Sequence, residues 1–399
     1  MLWALRILKA FRYRVYPTPV QETQIARWES SLRFLWNLAL EQRRLGLART
    51  EKRYPTAYDQ INELTALRAE LPWLADVPRN VCAQLLVELD KAWQRCFAKL
   101  AQAPRWKRKG HAFLGLTEPH PKVWRLDGET LRFPKLGGMR AVVHRPLEGK
   151  PKTCTLRREG DQWFASILCE IEVADPVPRT EPVLAIDRGI THLLADSDGN
   201  LVSNPRHLEK NLARLRRAQR TVARRKKGSK RREKAKRRVM RLHRKVRRQR
   251  DHVLHVESAR IAKNHGVVVI EKLNVAGMIR GNLSRSIADA GWSSFAKKLR
   301  YKLSWSGGTL VEVPAAYSSQ TCSACGCVDR ASRRAERFCC VTCGYCDHAD
   351  LNAAKVLKSR ANRSALPVEG SLPEGPRRSG KVRIKLRVPR RPSSQGRAL

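Results

Sequence analysis

Two sets of residues in this 399-residue chain have the types and spacing of metal-binding or reactive groups. The first is a cysteine cluster. Cys322 and Cys325 form one C-x-x-C knuckle, Cys340 and Cys343 form a second, and 14 residues separate them. Thiolates on two such turns can face a single tetrahedral Zn²⁺. Gly326 and Gly344 each follow the second cysteine of a knuckle, where the chain must turn tightly. Four thiolates leave no open position for water, so the expected ion is structural. Unmetallated cysteines are the alternative. Cys327, Cys339 and Cys346 also lie nearby, but using Cys339 in place of Cys340 would widen the second knuckle to C-x-x-x-C.

The second set is three acids. Asp187 ends the apolar run in PVLAIDRGI, Glu271 ends VVVIE, and Asp350 stands seven residues past Cys343 at the mouth of LNAAKVLKSR. Carboxylates at the ends of parallel strands meet at one edge of a sheet. Three of them there repel one another unless divalent cations are bound. Oxygen ligands suit Mg²⁺, and two such ions can clamp the attacking and leaving oxygens in phosphodiester hydrolysis. Each acid also has a plain structural reading. Asp350 can cap its helix, Asp187 can be a turn residue before Arg188-Gly189, and Glu271 can pair with Lys272 or another base.

The elements that must position these groups follow from periodicity. Residues 5–16 alternate as a strand, with Tyr13 and Val15 on one face and Arg12, Arg14 and Tyr16 on the other. Pro17 and Pro19 stop it, and Thr18 with Gln21 forms a capping-box pattern for a helix running to about Ala48. Helical stripes follow at 56–71 and 79–100, read as bundle core. The loop Pro104-Arg-Trp-Lys-Arg-Lys-Gly110 ends them. From about Val123 to Val173 the pattern turns to short alternating strands, as in a small antiparallel barrel that the 5–16 strand would complete. Buried strands are then expected at 182–187, 267–271 and TLVEVP, with a hairpin at Ser197-Asp198-Gly199-Asn200.

Charge narrows the partners. With 81 Lys+Arg against 36 Asp+Glu, the chain carries +45. A polyanion is the natural counterpart, and nucleic acid comes first. A membrane surface fares worse, because no apolar run approaches the roughly 18 residues of a spanning helix, and the N-terminus lacks a signal-peptide pattern. From Arg206 to Arg250 there are 23 basic residues and two acids, nearly half of the net charge. Leucine and valine recur there at helical steps on either side of Gly228-Ser229, which reads as two antiparallel helices with basic outer faces. Seven of the 11 cysteines lie between Cys322 and Cys346, a clustering that argues for a reducing cytosol and a metal site rather than a disulfide framework. The last 39 residues are rich in Pro, Gly, Ser and Arg and read as a basic disordered tail.

The ordered combination LKAFRYRVYPTPVQ, PRWKRKG, LRFPKLGGMRAVVHRPLEG, AIDRGI, VVVIEKLNVAGM, GWSSFAKKLRYKLSW, SSQTCSACG and CGYCDHADLNAAKVL resembles the TnpB family, the transposon-encoded OrfB proteins. These are RNA-guided DNA nucleases related to the type V CRISPR effectors, and the resemblance spans roughly residues 4–360. It implies an α/β chain with all-β and helical parts, built on an RNase H-like RuvC nuclease domain. That domain would comprise 181–319 and 347–360, with a basic helical hairpin at 206–262 and an inserted zinc ribbon at 320–346. An N-terminal β-barrel wedge domain would comprise 1–17 and 111–180, with a helical recognition insertion at 18–110, leaving 361–399 as the tail. The family's Asp–Glu–Asp triad maps onto Asp187, Glu271 and Asp350, holding Mg²⁺, with Zn²⁺ on Cys322, Cys325, Cys340 and Cys343. The implied partners are a guide RNA from the transposon end and double-stranded target DNA with a short flanking motif, bound by a monomer in a prokaryotic, nucleoid-associated setting. Expected phosphate contacts are Arg12, Arg14, Arg105, Lys107, Arg108, Arg224, Arg225, Lys226, Lys227, Arg231 and Arg232.

Two departures stand out. Many relatives read Asp-Leu-Gly where this chain has Asp187-Arg188-Gly189, and Asp-Arg-Asp where it has His348-Ala349-Asp350. The triad is intact, so the expected activity is Mg²⁺-dependent DNA cleavage. The rivals are a transposase that itself transfers strands, an inactive RNA-guided repressor, and a zinc-ribbon RNA-binding protein without catalysis.

Overall fold

The structure, a computed structural model, describes residues 4–48, 54–109, 115–174 and 176–363. The tail expected at 361–399 lies outside the described residues from 364 onward. Strand β1 (Ala4–Tyr16) buries Phe11, Tyr13 and Val15, as its alternation requires. After the two prolines, Thr18 and Gln21 exchange hydrogen bonds, Thr18 N–H to Gln21 Oε1 at 2.9 Å and Gln21 N–H to Thr18 Oγ1 at 3.3 Å. They open α1 (Pro19–Ala48), followed by α2 (Ala57–Glu70), the single turn α3 (Pro72–Ala75) and α4 (Arg79–Phe97). Helix α2 falls within the stripe expected at 56–71, and Pro72, which lacks the N–H that would continue it, opens the separate turn α3.

Six further strands follow: β2 (Leu116–Glu118), β3 (Arg125–Asp127), β4 (Thr130–Phe133), β5 (Gly137–Val142), β6 (Lys150–Glu159) and β7 (Gln162–Ala174). With β1 they pair in the order β2-β6-β7-β1-β5-β4-β3. This order has two ends, which corrects the expected barrel. Its terminal strands β2 and β3 are three residues each and do not pair with one another, so hydrogen bonds leave the sheet open. Helices α1–α4 are inserted between β1 and β2 in sequence but do not build a core of their own. Phe11 of β1, Trp28 and Leu32 of α1, Leu86 of α4 and Ile167 of β7 belong to one buried cluster.

The second sheet contains β8 (Val183–Asp187), β9 (His192–Asp196), β10 (Leu201–Ser203), β11 (Val267–Lys272) and β12 (Thr309–Pro314), in the order β10-β9-β8-β11-β12. Strand β11 runs parallel to both β8 and β12. Both faces are covered, which is why these strands are apolar almost throughout. Leu184, Ile186, Val268 and Ile270 pack against Leu254, Phe295 and Leu299 on one side, while Val183, Ala185, Val267 and Val269 pack against Leu357 and Ala361 on the other. The helices between β10 and β11 are α5 (His207–Ala223) and α6 (Lys230–Asn264), turning at Gly228-Ser229 as expected. Short α7 (Val275–Met278) and α8 (Ser284–Ala290) lead into α9 (Trp292–Trp305). Beyond β12 a small sheet of β13 (Arg333–Arg334), β14 (Arg337–Cys339) and β15 (Cys346–His348) precedes α10 (Ala349–Arg363).

The two sheets are joined by charge. At the β6–β7 turn, Asp161 pairs with Arg241 at 2.8 Å and Arg244 at 2.7 Å, while Glu159 pairs with Arg12 at 2.7 Å and Arg247 at 2.5 Å. The arginines draw Asp161 down to about 2 against the opposing effect of burial. Part of the basic helix α6 is therefore spent on holding the first sheet. No helix among the described residues is long and apolar enough to cross a membrane.

Candidate catalytic site and zinc ribbon

Parallel pairing in register carries Asp187 and Glu271 to the same edge of the second sheet, since Ile186 stands opposite Ile270. There the Glu271 carboxyl acts directly on that of Asp187. Glu271 is buried and Asp187 partly so. Burial, then the contact with Glu271 and the charges of Glu271 and Asp350, push the Asp187 pKa well above the ordinary carboxylate range, while Arg333 opposes the rise. An acid that holds its proton this firmly beside other carboxylates marks a place where a divalent cation can stand in for that proton. The all-oxygen donor set suits Mg²⁺, so the residues present fit that ion.

Asp350 enters from another direction, in the first turn of α10. It acts electrostatically on Asp187, and it forms a tight group with His192 and His348. Arg333 Nη2 donates to Asp350 Oδ1 at 3.2 Å, and His192 Nδ1 lies 3.5 Å from Oδ2. His348 Nδ1 accepts the Asp350 N–H at 3.2 Å, so the lone pair facing Asp350 is already occupied. Neither Arg333 nor His192 was reached by sequence reasoning. Arg333 lies 17 residues before Asp350, and no local spacing signals that they meet.

Both departures from the family pattern acquire a structural account. The Arg188 side chain, itself buried, donates to the Glu271 backbone carbonyl, and its N–H donates to Glu271 Oε1 at 3.2 Å. It ties the ends of β8 and β11 together. Burial lowers the Arg188 pKa, while Glu271, Glu312 and Asp187 support its charge. Gly189 follows because a Cβ there would stand 2.5 Å from the His192 carbonyl oxygen. At the second departure, Ala349 is fully buried in a cluster with Cys322, Phe338 and Cys340, an apolar setting that suits alanine.

The ribbon places Cys322, Cys325, Cys340 and Cys343 as one group. The Sγ–Sγ separations of 3.7 Å (Cys322–Cys343) and 3.6 Å (Cys325–Cys340) agree with the roughly 3.8 Å edge of a tetrahedron with Zn–S near 2.3 Å. Backbone N–H groups of Cys343 and Thr342 pull Cys340 down to about 6, while the neighbouring thiols push Cys325 and Cys343 up, so the four do not all ionise readily without a cation among them. Cys339 is not a competing ligand: it is joined to Cys346 across the β14–β15 pair. The bond arises because the two cysteines are direct cross-strand partners, and one such pair beside four free thiols does not make a disulfide framework. Asn352 fastens the ribbon to α10, its Nδ2 donating to the Thr321 carbonyl at 2.8 Å and its Oδ1 accepting the Ser323 N–H at 2.9 Å.

The expected phosphate contacts divide into two groups. Arg105, Arg108, Arg224, Arg225, Lys226, Lys227 and Arg231 are exposed. Arg12 is exposed too but is held by Glu159 and lies over the Phe164 ring, while the half-buried Arg14 lies over Tyr16 and Lys107 over Trp36. Arg232 donates to the Arg225 carbonyl at 2.9 Å, bracing the turn.

An open sheet with three parallel strands, an acid pair at its edge and a cysteine ribbon before the last helix make up a mixed α/β fold. A solved "Cas12f1-sgRNA-target DNA complex" superposes with a TM-score of 0.56 over 88% of this chain and 98% of that chain, at 14% identity. Residues 166–281 match the OrfB_IS605 family ("Probable transposase"), residues 292–357 the Cas12f1-like TNB domain, and residues 1–52 the OrfB_IS605 helix-turn-helix domain. The Escherichia coli protein named "Putative RNA-guided DNA endonuclease InsQ" is 32% identical over 374 residues, 88% of this chain and 92% of that protein. A Streptomyces pristinaespiralis protein named "Putative RNA-guided DNA endonuclease" is 33% identical over 88% of each. The chain belongs to the OrfB_IS605 (TnpB) family.

Proposed function

We propose that this protein is a transposon-associated, RNA-guided DNA endonuclease that hydrolyses target phosphodiesters at Asp187, Glu271 and Asp350. The observation that carries the reading is the Asp187–Glu271 carboxyl pair at the end of parallel strands, with Asp350 presented from α10 and acting on Asp187. Relatives at 32% and 33% identity carry the endonuclease name over nearly their whole length. Bound Mg²⁺ would activate water and neutralise charge on the phosphate. Asp187 and Glu271 would hold such ions at the sheet edge, Arg188 would keep Glu271 in place, and Asp350 would complete the ligand set. Guide–target pairing would choose the sequence, with the protein gripping backbone phosphates and reading a short flanking motif. The exposed bases of the α5–α6 turn suit that grip. The four thiolates would hold structural zinc.

Asp187→Ala tests the assignment. Guide-dependent plasmid cleavage should disappear while binding of guide and target persists. A mutant that cuts like wild type overturns the metal-site assignment, and DNA joining in place of simple cutting favours a strand-transferring transposase.

A further inference from the structure

Helices α1 and α2 leave an apolar groove of about 490 Å³ between them. Leu35, Leu38 and Leu45 of α1 form one wall, Leu64 and Leu67 of α2 the other, and Leu86 of α4 closes the lining. Leu38 and Leu45 are 39% and 58% exposed, so the groove offers apolar surface to a ligand. Its charge runs against that of the whole molecule. In a chain of net +45, the groove is lined by Glu41, Glu63 and Glu70 and by no Lys or Arg. Gln42 Nε2 donates to Glu63 Oε2 at 2.7 Å, whereas the Glu41 and Glu70 side chains have no hydrogen bond or ion pair among the described residues. Three acids without a base repel phosphate, so this groove does not suit the nucleic acid that the rest of the surface attracts. It suits a ligand that is apolar on one side and basic on the other.

The chain itself contains such a ligand. Residues 381–388 read Lys-Val-Arg-Ile-Lys-Leu-Arg-Val, four bases alternating with four apolar residues, and no acid follows Glu374. In an extended segment, that alternation separates the two sets onto opposite faces. Leu35 to Leu45 covers about 15 Å along α1, and Val382 to Leu386 covers about 13 Å when extended. Residues 364–380 link Arg363, the last described residue, to Lys381. Such a link reaches about 60 Å, more than the roughly 50 Å width of a compact body of this length. We propose that residues 381–388 dock in the α1–α2 groove of their own chain. Val382, Ile384 and Leu386 lie against the leucines, and the long basic side chains lean back to Glu41, Glu63 and Glu70 at the rim. The docked segment covers Leu38 and Leu45 and withholds four bases from non-specific attraction to nucleic acid.

The test uses full-length, nuclease-treated protein. In Leu38→Ser with Leu45→Ser, two exposed positions, trypsin should cut after Lys381, Arg383 and Lys385 roughly tenfold faster than in wild type, as expected when about one side chain of apolar burial is lost. Glu41→Gln with Glu70→Gln should also speed the cutting and lessen its dependence on salt. In the converse variant, Val382→Ser with Ile384→Ser and Leu386→Ser, amide exchange should rise in α1 and α2 around the groove and stay unchanged in β8 and β11. Equal cutting in wild type and the leucine variant overturns the proposal. So does protection that grows with protein concentration, which would place a second copy's segment in the groove. Protection that appears only when guide RNA is added overturns it as well, because nucleic acid then holds the segment.

Discussion

The acid pair makes a demanding prediction about stability. In metal-free protein, Asp187→Asn should melt at a higher temperature than wild type at pH 8, although it should not cut DNA. For adjacent like charges in general, a separation of about 4 Å corresponds to about 4 kcal/mol at an effective dielectric constant near 20. The proton held on Asp187 and the nearby Arg333 relieve part of this, leaving roughly 2 kcal/mol, which corresponds to about 4–8 °C for a domain of this size. The Asp187 pKa is raised in the folded state, so the folded chain binds this proton more tightly than the unfolded chain. Wild-type stability should then fall as pH rises out of the ordinary carboxylate range toward the raised value, whereas the amide does not titrate. The gap between variant and wild type should be near zero at pH 4 and largest at pH 8. Thermal melts in EDTA across this range measure it, and added Mg²⁺ should stabilise wild type but not the variant. A variant no more stable than wild type at pH 8, or a gap independent of pH, would refute the reasoning that these carboxyls repel.

Three other outcomes follow from the same geometry. Replacing Arg224, Arg225, Lys226 and Lys227 with alanine should flatten the salt dependence of guide-RNA binding, by up to about 0.7–0.9 in log–log slope for each phosphate that the variant leaves unneutralised, measured by filter binding. Cys343→Ser should lose the bound zinc and expose the ribbon from Cys322 to His348 to limited proteolysis, while the fragment containing β1–β7 keeps its wild-type resistance; an equally resistant ribbon would count against a structural metal. Replacing Glu159 and Asp161 together with alanine breaks the four ion pairs to Arg12, Arg241, Arg244 and Arg247, so hydrogen exchange should rise in the middle of α6 but not in β8 or β11.

Much of the architecture was legible in the chain because it follows from local repeats. Alternation around Tyr13 and Val15 marked β1, the Thr18–Gln21 pair marked the start of α1, and the all-apolar run before Asp187 marked a strand buried on both faces. The knuckle spacing identified the four thiolates, since a ligand set built on two tight turns is encoded within a few residues of each turn. Closure of the first sheet was not legible, because it depends on whether two three-residue strands meet, and periodicity does not report that. The disulfide between Cys339 and Cys346 was missed for a similar reason: only the β14–β15 register makes them partners.

The acids show the division most clearly. The residue types and their places at strand ends and a helix start were set by the sequence, and with them the chemistry of oxygen ligands for a divalent cation. Tertiary structure decided which charges they face. It brought Asp187 against Glu271, used Arg188 to brace the strand carrying Glu271, and set Arg333 and His192 on Asp350. Those interactions join segments from β8, β9, β11 and the ribbon, so no window of sequence contains them. Electrostatic energies depend on distance and burial rather than on order along the chain, and only the folded chain specifies these.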